Sequence, residues 1–235
     1  MWPIVAIKRK SHVRPRSTSS MISLISFLVL SSFFHNAIST SSIDSSNKRK
    51  PLSFSDETKW DCFYRTTLPV NDLDSILFRQ DEYGNLLMAG LSYCQGCLCY
   101  NFDHRYPISS IPDNIKPPMT VIAEMNSIYN CQAMSVRTNS LKGSIQESEI
   151  VNVVGRFGCD AGTMSLFTEN NYAGLKAIQN QLIDSERYNT IKSHHSHYVN
   201  GSYKINARSP VHHFDILRNS ASALVTRVQN ILARI

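Results

Sequence analysis

The sequence lacks the short motifs that mark common catalytic sites. It contains no Gly-x-Ser-x-Gly elbow, no phosphate-binding glycine loop and no His-Glu-x-x-His pair. Carboxylate pairs occur at Asp81-Glu82 and at Glu147 with Glu149, but both pairs lie in polar segments, where such side chains are usually solvated. We therefore expect a protein that is not an enzyme, with no catalytic residue, no cofactor and no metal ion.

The chain also has little excess charge outside its first 39 residues. Five of the 24 basic residues and none of the 18 acidic residues lie there, so the remainder has a net charge of +1. A nearly neutral remainder has no general attraction for phosphate backbones. We expect no nucleic-acid partner.

A membrane-spanning helix needs about 20 consecutive apolar residues. The sequence contains no apolar run of that length. The uncharged run Met21–Phe34 follows a basic stretch, and Ala37 and Ser39 precede a plausible cleavage site. This pattern predicts a signal peptide at residues 1–39, a secreted, extracellular protein and no membrane contact of the mature form. A signal anchor and translation from Met21 are the alternatives.

Residues 40–58 are predicted to be a flexible leader, because residues 40–50 are rich in serine and end in three basic residues. Lys48-Arg49-Lys50 is either a processing site or a solvated charge run.

Cysteine is the residue type that the sequence concentrates. All six cysteines follow the predicted cleavage site, three of them within "YCQGCLCY" (93–100). An even number in an exported chain favours disulfides, whereas zinc would need a second Cys-x2-Cys and a redox pair a βαβ context. We predict that disulfides contain Cys62, Cys94, Cys97, Cys99, Cys131 and Cys159.

Residues 51–161 carry the signals of strands and turns. Asp81–Asn85 reads as a turn around Gly84, and the prolines of residues 109–118 exclude a helix or central strand there. Met119–Met125 and Ser148–Gly155 are short and rich in β-branched residues, which predicts strands. The expected fold class is mainly β, with disulfide-stapled antiparallel hairpins in a domain at residues 59–162.

Residues 163–235 are predicted to form a helical C-terminal extension. Tyr172–Ile183 has one apolar stripe, and Ser209-Pro210 is a typical helix start. The last helix then carries an apolar seam at spacings of four and three, which packs either on its own domain or on a second chain. The seam consists of Leu217, Ala221, Leu224, Val228, Ile231 and Ile235.

Between these two helices, residues 194–203 form a polar stretch that we expect to be an exposed loop. Its three histidines, together with His212 and His213, invite a metal-site interpretation, but no nearby carboxylate would orient the rings. The sequon Asn200-Gly201-Ser202 predicts glycosylation at Asn200.

The order of features from Trp60 to Ala161 resembles the interleukin-17 family of secreted cytokines. The resemblance rests on Trp60, Arg79, Ala89, "YCQGC" (93–97), residues 111–131 and "VNVVGRFGCDA" (151–161). It covers about 100 residues; Ala161 replaces a family cysteine, "RF" is inserted after Gly155, and either Cys99 is an additional cysteine or the cysteine cluster is shifted.

The resemblance implies a cystine-knot-like fold, a cytokine that binds a cell-surface receptor, and a homodimer. It also implies a Cys94–Cys159 disulfide, with Cys62, Cys99 and Cys131 as candidate partners of Cys97. Residues 119–125 and 148–157 would contribute to dimer or receptor contacts. The alternatives are another secreted cystine-rich binding module or inhibitor, or a secreted hydrolase that uses His104, His194, His197 or His212.

Overall fold

The computed structural model describes residues 53–112, 114–143 and 169–235. The α-helices of these residues are α1 (Asp56–Thr66), α2 (Met119–Met125), α3 (Val136–Lys142), α4 (Glu169–Leu182), α5 (Glu186–Asn200) and α6 (Pro210–Leu232). The strands are β1 (Leu68–Pro69), β2 (Phe78–Gln80), β3 (Leu86–Met88), β4 (Tyr100–His104) and β5 (Cys131–Ser135). A short 3-10 helix covers Ile108–Ser110.

The prediction of a mainly β fold is wrong, because the described residues are mainly helical. Strands β1, β2 and β3 form one small antiparallel sheet, and β4 pairs antiparallel with β5. The longest of the described strands have five residues. The predicted turn at residues 81–85 is present between β2 and β3, with Gly84 at a φ of 86°.

Residues 119–125 form helix α2 rather than the predicted strand. Pro118 stands at the N-cap, and Val121 and Met125, four residues apart, are both fully buried on one face of the helix. This face packs against Leu224 and Val228 of α6. The β-branched residues suggested a strand, but tertiary packing of the i, i+4 pair determines the structure.

The histidine-rich segment is also helical, so the expectation of an exposed loop there is wrong. Ser185 caps α5, its side chain accepting a hydrogen bond from the amide of Tyr188. Tyr188, Ile191 and Tyr198 follow at helical spacing and are buried. Between these positions, His194 and His195 are half-buried, whereas His197 is exposed.

The prediction of a C-terminal helix with Ser209 as its cap and Pro210 at its first turn is confirmed. The seam residues Leu217, Ala221, Leu224 and Val228 are buried. The central part of the seam packs against α2, Tyr106 and Ile111 of the same chain, whereas the terminal Ile235 is 71% exposed. The helical C-terminal segment therefore shares a core with residues of the predicted disulfide-rich domain.

The described residues contain two disulfides. Cys62–Cys131 ties α1 to the first residue of β5, and Cys94–Cys99 closes a small loop just before β4. Cys94 is therefore bonded to Cys99 and not to Cys159, which corrects the pairing that the family resemblance implied.

Several predictions concern residues outside the described ranges, namely the signal peptide, most of the leader, the strand at 148–155 and Cys159. At the end of the leader, Phe54 is buried and Ser55 caps α1, so defined structure begins before residue 59. Within the described ranges, no helix combines the length and the apolar character that crossing a membrane requires.

Candidate functional site

A pocket lies where the C-terminal end of α1, the turn before β5 and the loop between α5 and α6 meet. This α5–α6 loop comprises residues 201–209, and the pocket has a volume of about 240 Å³. We call it the Arg65 pocket, after its most buried charged residue. It is lined by Arg65, Tyr129, Ser202, Tyr203, Lys204, Ile205, Asn206 and Ile216.

Helix α1 and one disulfide position the inner wall of this pocket. Cys62 and Arg65 are three residues apart, so they lie on neighbouring positions of the α1 surface. The partner of Cys62 is Cys131, two residues after Tyr129. A single covalent bond therefore fixes both the helix that carries Arg65 and the turn that carries Tyr129.

The guanidinium of Arg65 contacts an aromatic wall. Its central carbon lies 5.0 Å from the ring centroid of Tyr129, within the range of a cation–π interaction. The residue is only 3% exposed. Burial lowers the pKa of Arg65 from its ordinary value, and the neighbouring cation Arg105 acts in the same direction.

Arg65 has no carboxylate partner among the described residues, in contrast to two other cations near it. Arg105 pairs with Glu82 at 3.2 Å, and Arg218 pairs with the same carboxylate at 2.7 Å. The pocket lining contains a second cation, Lys204, and no acidic residue. Its described lining is therefore that of an open, cationic pocket with two basic side chains and no acidic one.

The α5–α6 loop forms the outer wall and is attached to the core through Tyr198. The hydroxyl of Tyr198 accepts a hydrogen bond from the amide of Ile205 at 3.3 Å. Tyr198 itself is buried and stacks on Tyr64 of α1, with ring centroids 6.0 Å apart. At the rim, Tyr203 meets Tyr129 edge to face at 6.2 Å.

Histidines of α5 hold this helix against α1. His194 stacks on Trp60 with centroids 4.4 Å apart, and His195 meets the ring of Tyr64 at 4.9 Å. Burial lowers the pKa of both histidines, so the neutral imidazole is favoured. These contacts position the end of α5, from which the outer wall of the pocket starts.

His213 supports the inner wall. It is 5% exposed, and its Nε2 donates a hydrogen bond of 2.8 Å to the carbonyl oxygen of Arg65. Burial lowers the pKa of His213, against a smaller opposing effect of its bond to Arg65. The histidine therefore connects the start of α6 to the end of α1.

The other histidines singled out in the sequence lie apart from one another. His104 stacks on Phe54 at 4.2 Å, and His197 faces Asp61, with Nδ1 and Oδ1 3.5 Å apart. His212 accepts a hydrogen bond from the amide of Arg208 at the start of α6. In residues 53–112, 114–143 and 169–235, histidines, cysteines and acids form no group of three that could bind a metal ion.

Among the described residues, Cys62, Cys94, Cys99 and Cys131 form disulfides as predicted. Cys97 lies exposed in the small loop that Cys94–Cys99 closes, and Cys159 is outside the described residues. The predicted glycosylation site Asn200 is exposed at the last position of α5.

The sequence did not reveal the residues that form the pocket. Arg65 and Lys204 are isolated cations in their local segments. No residue next to Tyr129 in the sequence indicates a binding site. One signal was present, since Tyr203-Lys204 directly follows the sequon and joins an aromatic to a cation. Only the tertiary contacts between α1 and the α5–α6 loop bring these side chains together.

No protein-family model, curated protein or solved structure matches this chain.

Proposed function

We propose that this is an exported binding protein that takes an anionic group of its ligand in the Arg65 pocket. The observation that carries the proposal is the buried guanidinium of Arg65, which has no carboxylate partner among the described residues. A buried charge without a counter-charge is unfavourable, and a bound anion removes that penalty while forming charge-assisted hydrogen bonds.

The remaining lining describes the ligand further. Lys204 supplies a second positive charge, and Ser202 and Asn206 supply neutral donors. Tyr129 and Tyr203 offer aromatic surface. The pocket of about 240 Å³ is smaller than the ~300–1,000 Å³ of drug-sized sites, so it fits one compact charged group with a small apolar or aromatic part.

Export is supported by the predicted signal peptide and by the two disulfides, because disulfides persist mainly in oxidising compartments. We propose on this basis that the protein is extracellular. The pocket requires no reaction chemistry of the protein, and binding alone accounts for its composition.

Interleukin-17-type activity, with a receptor partner and a homodimer, stays a prediction from the family resemblance. The mainly helical fold gives it no support. Of the surfaces assigned to such contacts, residues 119–125 form α2, where Val121 and Met125 are buried within the chain and Met119 is 75% exposed. Residues 148–157 lie outside the described ranges.

A titration of the purified secreted protein with small anions tests the proposed function. The probes are benzoate, phenyl phosphate and phenyl sulfate, measured by isothermal titration calorimetry. We expect saturable binding that Arg65→Met weakens about 10–100-fold, since hydrogen bonds to charged groups contribute about 1.5–3 kcal/mol. Lys204→Met should weaken it less, because Lys204 belongs to a loop at the surface.

Lys192→Met is the matched control, because Lys192 is an exposed cation of α5 that does not line the pocket. Its removal changes the net charge as much as the pocket variants do and should leave the affinity unchanged. Absence of saturable binding for all three probes, or equal affinities of the wild type and Arg65→Met, would refute the proposal.

A further inference from the structure

The only Asn-x-Ser/Thr sequon of the sequence borders the Arg65 pocket. Asn200 ends α5, Gly201 caps the helix, and Ser202 is already part of the pocket lining. Asn200 is exposed, so its side chain can carry a large modification without displacing the core.

Chain geometry sets how near such a modification is. Consecutive Cα atoms lie about 3.8 Å apart, so the Cα atoms of Asn200 and Ser202 are separated by at most about 7.6 Å. A glycan is bulky and hydrophilic compared with this distance. Attached to Asn200, it therefore stands directly beside the outer wall that the α5–α6 loop provides.

We propose that Asn200 carries an N-linked glycan that restricts the Arg65 pocket to small anions and keeps anionic polymers away from it. The inference rests on the proposed function, because it concerns the same pocket and requires export through a glycosylating compartment. A small anion passes beside the glycan and reaches Arg65. A polymer that binds Arg65 also places its neighbouring segments on the rim of the pocket. The glycan occupies this rim and blocks those segments.

The test compares a small and a polymeric probe that carry the same charged group. Phenyl sulfate and dextran sulfate are both sulfate monoesters. The proteins are the secreted wild type, Asn200→Gln, which removes the acceptor, and Lys192→Met, which keeps the sequon and changes no residue of the pocket lining. Intact mass spectrometry measures occupancy, and calorimetry measures the two affinities.

We expect a glycan mass on the wild type and on Lys192→Met but not on Asn200→Gln. The affinity for phenyl sulfate should be equal within about twofold in all three proteins, whereas Asn200→Gln should bind dextran sulfate at least about fivefold more tightly. The double variant Asn200→Gln/Arg65→Met should lose this gain, which shows that the polymer reaches the pocket rather than another basic surface.

Two results overturn the inference while the proposed function stands. One is a wild-type mass without glycan, and the other is an unchanged affinity for dextran sulfate in Asn200→Gln when phenyl sulfate binds. If phenyl sulfate binds to none of the three proteins, the proposed function and this inference both fail.

Discussion

Arg79 and Arg65 are both buried, but they differ in the hydrogen-bond acceptors that surround their guanidinium groups. Arg79 is 6% exposed, and its guanidinium donates to four acceptors, the carbonyl oxygens of Tyr64, Thr67 and Ser75 and the hydroxyl of Thr67. Its central carbon also lies 5.3 Å from the ring centroid of Tyr64. Burial lowers the pKa of Arg79 to about 10. Arg65 is buried to the same degree but lines a cavity and contacts one aromatic ring.

The comparison separates a cation that stabilises the fold from one that is available to a ligand. At Arg79 the protein supplies the acceptors, so the side chain joins α1, the segment after it and β2. At Arg65 the described residues supply no anionic acceptor, and a pocket with a second cation lies beside the side chain. Substitution of the two similarly buried arginines should therefore have opposite effects on stability.

The largest expected effect is that of Arg79→Met on stability. This substitution leaves four acceptors in a buried site without their donor, and each unpaired group is unfavourable by about 1–3 kcal/mol. We expect the free energy of unfolding to fall by about 4 kcal/mol or more, measured by urea denaturation. A loss below about 1 kcal/mol would contradict the structural role assigned to Arg79.

Removal of the disulfide next to Arg65 is expected to have a similar but slightly smaller effect. Cys62–Cys131 spans 69 residues and Cys94–Cys99 only five. Loop-closure entropy then predicts losses of about 4 kcal/mol for Cys62→Ala/Cys131→Ala and about 2 kcal/mol for Cys94→Ala/Cys99→Ala. Urea denaturation of the two double variants measures both values.

The same pair of variants sharpens the assignment of the pocket. Because Cys62–Cys131 fixes α1 and the turn of Tyr129, its loss should weaken binding of phenyl phosphate in the fraction that remains folded. Loss of Cys94–Cys99, which lies outside the pocket lining, should leave the affinity unchanged. The reverse order of affinities would place the binding site elsewhere.

Arg65→Met is expected to change stability little and in the opposite direction from Arg79→Met. The substitution removes the free-energy cost of burying the cation, which stabilises the fold. It also removes the cation–π contact, which offsets this stabilisation by about 0.5–1 kcal/mol. We expect a free energy of unfolding equal to that of the wild type or up to about 1 kcal/mol higher. A decrease of 2 kcal/mol or more would show that Arg65 has a structural role like that of Arg79.

The parts of the fold that the sequence predicted are those determined by local signals. The cap at Ser209, the proline after it and the seam of α6 are local, and so is the turn around Gly84. Helix α2 was missed because its β-branched residues resemble a strand, and its helical state depends on packing against α6, far away in the chain. Strand-like composition over seven residues does not decide between these states.

The candidate site was less predictable than the fold. The polar composition of residues 194–203 predicts a loop, although His194 and His195 belong to α5 and pack their rings on aromatic residues of α1. The isolated charge of Arg65 becomes significant only once the surrounding structure shows that no described carboxylate faces it. Such a property depends on tertiary contacts, so no local pattern in the sequence contains it.

The smallest expected effect concerns pH and the support of the pocket by His213. Because burial lowers the pKa of His213 in the folded protein, the unfolded chain binds the proton more readily. The stability that this histidine contributes is complete above its ordinary pKa near 6.5 and is lost as the pH falls through and below that value. The charged groups facing His213 are Arg65, Arg79 and Glu82, of which the two arginines oppose its protonation.

His213→Gln tests this contribution, since glutamine retains a donor for the Arg65 carbonyl and has no proton to gain. Asp81 titrates in the opposite direction, because burial raises its pKa to about 6 and acidification then favours the fold. The informative quantity is therefore the difference between wild type and variant in urea denaturation at pH 8 and at pH 5.5. The wild type should lose more stability, or gain less, than His213→Gln between these values. An identical change in both proteins would mean that His213 binds protons equally in the folded and the unfolded protein. The contribution of His213 to stability would then be independent of pH.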